Sequence, residues 1–112
     1  MESEQVITVV GSRLLVPERA GDFHHWYNEH IRMWLQTPGV VRAVRYERIP
    51  VPGEAAAPEY LALYTYANAT SISASEASPE RQRIREHRIA TFGDTQPFEV
   101  TLLGGYRPLP ER

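Results

Sequence analysis

Of the four histidines in this chain, His30 is the one whose neighbours make its chemistry a question. It lies in the stretch Phe23 to Val40, FHHWYNEHIRMWLQTPGV. If these residues are helical, successive side chains rotate by roughly 100°. Phe23, Trp26, Tyr27, His30, Ile31, Met33 and Trp34 then share one side, and His24, His25, Asn28, Glu29, Arg32 and Gln36 share the other. His30 falls near the middle of the apolar stripe, one turn after Trp26 and one turn before Trp34. A buried imidazole left without a hydrogen-bond partner loses about 1 to 3 kcal/mol. Two readings follow: a core histidine tied to a backbone carbonyl or a tyrosine, or an acid or base in a pocket. Imidazole titrates nearest neutrality, and an apolar surround keeps it neutral and able to accept a proton. Trp26, Tyr27 and Trp34 would wall such a pocket.

Other residues bear on this site. Tyr46, Tyr64 and Tyr66 fall in predicted strands, and a tyrosine turned toward the helix can hydrogen-bond His30 or a ligand oxygen, or can simply pack. Tyr64 is the candidate catalytic partner of His30, with Tyr46 and Tyr66 as candidate binding residues. Arg45 precedes Tyr46 and so points to the opposite face. With Tyr46 toward the helices, Arg45 would need an acidic partner such as Glu47 or Glu99. His24, His25, Asn28 and Glu29 crowd the polar side of the helix, which invites a metal reading. However, His25 and His30 are five apart, about 140° around a helix, unlike the i, i+4 pair of a zinc-protease HExxH. A solvated face is expected there, and no metal. The sequence has no P-loop, GxGxxG, nucleophile elbow or CxxC, so nucleotide, flavin and acyl-enzyme chemistry lack support. No cofactor is expected.

The elements that must hold these residues can be read in order. Val6 to Leu15 is rich in β-branched residues and ends at Val16-Pro17, which predicts a strand followed by a helix start. The helix should run from about Pro17 to Gln36 and stop at Thr37-Pro38-Gly39. Val40 to Ile49 reads as a second strand, PVPGEAAAP as a surface loop, and Glu59 to Ala67 as a third strand. In that third strand Tyr60, Ala62, Tyr64 and Tyr66 alternate with Leu61, Leu63 and Thr65, so both faces are apolar and both should be covered. Thr70 to about Gly93 predicts a second helical region broken at Ser78-Pro79, with Ile72, Ala77, Ile84, Ile89 and Phe92 as its apolar face. Phe98 to Tyr106 is the fourth strand, with Gly104-Gly105 marking a bulge or a close approach.

The order β-α-β-β-α-β is the split βαβ arrangement of ferredoxin-like α+β domains. At 112 residues the chain, 1 to 112, is expected to form a single domain. Two helices cover one face of a four-stranded sheet. The second apolar face is expected to be covered by another copy, sheet against sheet, in a two-fold homodimer. A formal charge of -2 gives no reason to expect nucleic acid or an anionic membrane surface. The absence of cysteine, of a basic N-terminal region and of any long apolar run points to a cytoplasmic chain. Asn68-Ala69-Thr70 matches a glycosylation acceptor by chance.

The helix motif Phe23, Trp26-Tyr27, Glu29-His30, followed by Pro38-Gly39-Val40 and Arg45-Tyr46, resembles the EthD-like branch of the dimeric α+β barrel superfamily. That resemblance implies two ferredoxin-like sheets paired into an eight-stranded barrel, with a small hydrophobic or aromatic ligand held between sheet and helices. The activities it implies are cofactor-free monooxygenase, polyketide cyclase, isomerase and dehydratase, and His30 matches the family's helix histidine. In such a site His30 would take or deliver a proton, and a strand tyrosine would stabilise an enolate or phenolate oxygen. A non-catalytic binding or stress-associated domain is the alternative. His87, in REHR, reads as a surface histidine, although haem-binding relatives place an axial histidine on the second helix. The arginines of RQRIREHR match nothing in the family pattern.

Overall fold

The computed structural model describes residues 4–110. Its elements are β1 (Val6–Leu14), a 3-10 turn (Pro17–Arg19), α1 (Ala20–Leu35), β2 (Val40–Glu47), β3 (Tyr60–Tyr66), α2 (Thr70–Glu76), α3 (Pro79–Phe92) and β4 (Phe98–Tyr106). The four strands form one antiparallel sheet in the order β2-β3-β1-β4. This is the ferredoxin-like α+β arrangement expected from the sequence.

Local chemistry sets the boundaries. Pro17 opens the 3-10 turn, where its missing N–H is no loss. Gly39, at φ +86°, lets the chain leave α1 and enter β2 in a left-handed conformation. A Cβ there would sit 2.7 Å from Ser71 Cβ, so the glycine is also needed for a close approach to α2. Asn68 precedes α2, and its Oδ1 accepts hydrogen bonds from Ser71 N–H, Ser71 Oγ and Thr70 Oγ1 at 2.8 to 3.0 Å. That side chain is thus occupied in starting a helix. The predicted break at Ser78-Pro79 is the junction of α2 and α3: Ser78 Oγ caps α3 by accepting from Arg81 N–H, and Pro79 is its first residue.

One face of the sheet is packed under the helices. Val6, Ala62, Tyr64, Tyr66 and Phe98 meet Phe23, Trp26, Tyr27 and Trp34 of α1, with Ile84 and Phe92 of α3. Phe98 joins the two helices through aromatic packing, with ring centroids 4.9 Å from Phe23, 5.1 Å from Trp26 and 5.4 Å from Phe92. On α2 and α3 the expected apolar face is narrower. Ile84 and Phe92 are buried and Ile72 is half-buried, but Ala77 is exposed and Ile89 is 61% exposed. Ala77 lies in the linker between the helices, which takes it off the stripe.

Cross-strand pairing puts Leu61 opposite Tyr46 and Gly11, and Leu63 opposite Val44 and Val9, all on the other face of the sheet. No helix among the described residues covers that face. The strand β3 is therefore apolar on two sides, with one side packed in this chain and one open.

Strand β2 corrects one expectation. An irregularity between Val40 and Arg42 shifts the pairing, so Ala43, Arg45 and Glu47 share the helix-facing side with Ala62 and Tyr60, while Tyr46 pairs with Leu61 on the open face. Arg45 thus points toward α1 and Tyr46 away from it, the reverse of the sequence reading. Among the described residues, no helix is long and apolar enough to cross a membrane.

Candidate functional site

A cavity of about 300 Å³ lies between the helix-facing side of the sheet and helices α1, α2 and α3. Its inner wall is aromatic: Trp26, Tyr27 and Trp34 come from α1, and Tyr64 and Tyr66 from alternate positions of β3. It opens over β4, where Val100 and Leu102 are 41% and 67% exposed. Six of the seven residues expected from the sequence, His30, Tyr64, Trp26, Tyr27, Trp34 and Tyr66, line this one cavity. Tyr46 is not among them, because the β2 irregularity carries it to the open face.

His30 sits against two indoles. Its ring stacks on Trp26 with centroids 4.6 Å apart and planes 27° apart, and its Nε2 accepts a hydrogen bond of 2.9 Å from Trp34 Nε1. The spacing that put His30 one turn from each tryptophan produces both contacts. Because an indole N–H only donates, Nε2 must be the unprotonated nitrogen, and the neutral ring carries its proton on Nδ1. That Nδ1 is buried and has no hydrogen-bond partner. Burial, together with the positive charges of Arg81, His87 and Arg88, pulls the imidazole down to about 3. At neutral pH His30 is an uncharged N–H donor.

The phenols are also held neutral. Burial and the neighbouring Tyr27 push Tyr64 far above the ordinary phenol range, and burial raises Tyr27 and Tyr66 as well. Tyr64 and Tyr27 interact through their hydroxyls, and Tyr66 through its hydroxyl with Thr8. Tyr64 also packs against Trp34, with centroids 4.9 Å apart.

The sequence reading missed the charged rim. Arg81, Arg85 and Arg88 follow i, i+4, i+7 spacing on α3, which puts them on one face, and all three line the cavity with Glu76 of α2. Arg81 lies over the Trp34 ring at 4.8 Å, and Arg85 donates to Glu76 Oε2 at 3.0 Å. The spacing was visible as RQRIREHR. A helix with so little apolar surface gave no sign, however, of which way those arginines turned.

Three other expectations change. Arg45 has no acidic partner among the described residues: it donates to Asn28 Oδ1 and His24 Nδ1, each at 3.1 Å, and lies over the Tyr27 ring at 4.6 Å. Glu99 pairs instead with Arg13 at 2.6 Å. The polar residues of α1 are therefore not simply a solvated face: His24 and Asn28 hold Arg45, and His25 meets Glu29 at 3.0 Å. Burial, then the charge of Arg45, lowers His24. No group of three or more metal-ligating side chains occurs among the described residues. Finally, His87 is half-buried rather than on the surface. Its ring is parallel to Trp26 at 6.4 Å and its Nδ1 is enclosed. It is not among the residues that line the cavity.

No protein-family model matches the chain, and no curated protein sequence does. Solved structures do. A dabb family protein with a ferredoxin-like fold from Mesorhizobium loti matches at TM-score 0.68 and 12% identity, over 96% of this chain and 99% of that one. An ethyl tert-butyl ether D (EthD) family protein from Bacillus halodurans matches at TM-score 0.65 and 11% identity, over 95% and 99%. SnoaB, a cofactor-independent oxygenase from Streptomyces nogalater, matches at 0.57 and 16%, over 96% and 99%. At these identities the likeness is one of fold: the chain has a ferredoxin-like fold.

Proposed function

We propose that the chain is a cofactor-independent enzyme acting on a small hydrophobic, oxygenated ring compound, of cyclase, isomerase, dehydratase or cofactor-free monooxygenase type. The observation that carries this is the buried, unpartnered Nδ1–H of His30 in an aromatic-walled cavity of about 300 Å³, within the size range of small-molecule sites. Each of those reactions passes through a substrate oxyanion next to the reacting carbon. A fixed N–H on His30 and an O–H on Tyr64 stabilise such an oxygen by hydrogen bonding. An oxygen-dependent reaction through a substrate carbanion uses the same contacts. Trp26, Tyr27, Trp34 and Tyr66 stack on the ring. The similarity in fold to SnoaB is consistent with this reading.

The working unit in this proposal is a homodimer. The open face carrying Leu61, Leu63, Val44 and Val9 is apolar surface of the kind a two-fold sheet-to-sheet pairing buries. The chain is further proposed to be cytoplasmic.

A second reading, a non-catalytic binding domain, is favoured by the engagement of His30 Nε2 with Trp34, which leaves that ring without a free proton-accepting atom. The two are separated by assaying hydroxylated polycyclic ketones and acidic enols for turnover with His30→Gln and Tyr64→Phe, each checked for melting temperature. Catalysis predicts folded variants with turnover lowered by roughly 10²-fold or more. Unchanged turnover per folded molecule removes His30 and Tyr64 from the catalytic role.

A further inference from the structure

The groups around the cavity share one polarity. Trp26 Nε1, His30 Nδ1 and Arg81 Nε are buried without hydrogen-bond partners, and their residues all line it. An indole N–H and a guanidinium Nε–H can only donate. His30 Nδ1 donates too, because Trp34 occupies Nε2. Arg81 Nε approaches Glu76 Oε2 at 3.5 Å, longer than a good hydrogen bond. Buried polar groups in native proteins are overwhelmingly paired, so three unpaired donors carried by residues that line one space suit a ligand that brings acceptors once those side chains turn to meet it.

Charge agrees with this. The lining contains three guanidinium groups, Arg81, Arg85 and Arg88, and one carboxylate, Glu76. Glu76 is shared between Arg81 and Arg85, and Arg88 has no ion-pair partner among the described residues. The chain as a whole has a formal charge of -2, yet this rim is cationic. The lining also lacks a free base: His30 Nε2 is taken by Trp34, Glu76 is taken by Arg85, and the phenols are held neutral by burial.

We infer that the cavity takes its ligand as an oxyanion on a hydrophobic ring, an acidic enol or phenol already ionised in solution, with the oxygen toward the buried N–H groups and its charge balanced by Arg81 and Arg88. This rests on the cavity being the ligand site. It deepens that reading by naming the ionisation state of the substrate and by assigning α3, which the α1 motif leaves without a role, to charge recognition.

Calorimetric titration with matched ligands tests it. The probes are 2-hydroxy-1,4-naphthoquinone, an acidic enol ionised at pH 7, against its neutral 2-methoxy analogue, and 1-naphthoate against 1-naphthamide. The expected result is that the enolate binds at least tenfold more tightly than the methoxy compound. Arg88→Gln and Arg81→Met should each weaken the enolate by threefold to tenfold while moving the methoxy compound by less than twofold. Added salt should weaken only the anion. A preference confined to the naphthoate pair overturns the ring-borne oxygen. Equal binding of the neutral partners, or equal losses for both members of a pair in the arginine variants, overturns the anion inference and leaves the cavity reading standing. If no probe binds, both fall.

Discussion

Acid should destabilise this protein through His30 in a way that can be calculated. The imidazole lies near 6.5 when exposed and about 3 in the folded chain, so the unfolded state binds more protons between those values. Its contribution to stability is therefore complete above about 6.5 and is lost as the pH falls toward 3. At about 1.4 kcal/mol per pH unit, going from pH 7 to pH 5 removes about 2 kcal/mol. That figure barely depends on how far below 5 the folded value lies, because the imidazole is already neutral there. The charged groups acting on His30 are Arg81, His87 and Arg88. His24 is lowered in the same direction, so a wild-type curve alone does not isolate His30. The assay is urea unfolding at a fixed protein concentration, at pH 7 and pH 5, for wild type and His30→Gln, whose amide oxygen can still accept from Trp34. The wild type should lose about 2 kcal/mol more than the variant over this interval. Parallel losses would refute the placement of a neutral, enclosed His30.

Two further outcomes are expected. Light scattering at micromolar concentration should give twice the mass of one chain, and Leu63→Asp, which sets a charge on the open face, should reduce it to one chain or unfold the protein; a folded wild-type monomer would end the dimer proposal. Nitrogen-15 NMR of the imidazoles at pH 7 should show His30 as the Nδ1–H tautomer, and Trp34→Phe should loosen that preference and lower stability by about 1 kcal/mol. An Nε2–H tautomer in the wild type would contradict the Trp34 hydrogen bond.

The parts of the site legible in the sequence were those governed by strong periodicity. The i, i+4 spacing of Trp26, His30 and Trp34 and the alternation of Tyr64 and Tyr66 placed five cavity residues, because α1 and β3 are regular. Strict alternation from Val40 would put Tyr46 under the helices. The extra residue near Val41 inverts that parity and delivers Arg45 instead, and no glycine or proline marks the irregularity. The α3 arginines escaped because charged residues on a helix are ordinarily solvated. Their inward turn follows from burying Ile84 and Phe92, which orients the helix as a whole. His87 was misplaced for the same reason, since its enclosure depends on Trp26, a partner far away in sequence.

The chain's two tryptophans both line the cavity, one stacked on His30 and one hydrogen-bonded to it. The molecule thus carries two indole fluorophores, and both report from the wall of one cavity. Any aromatic ligand that enters should quench or shift the whole indole emission, with no background signal from tryptophan elsewhere. Unlabelled protein could therefore be screened against compound libraries by its own fluorescence, and the emission of Trp26→Phe and Trp34→Phe would tell from which wall the ligand is seen.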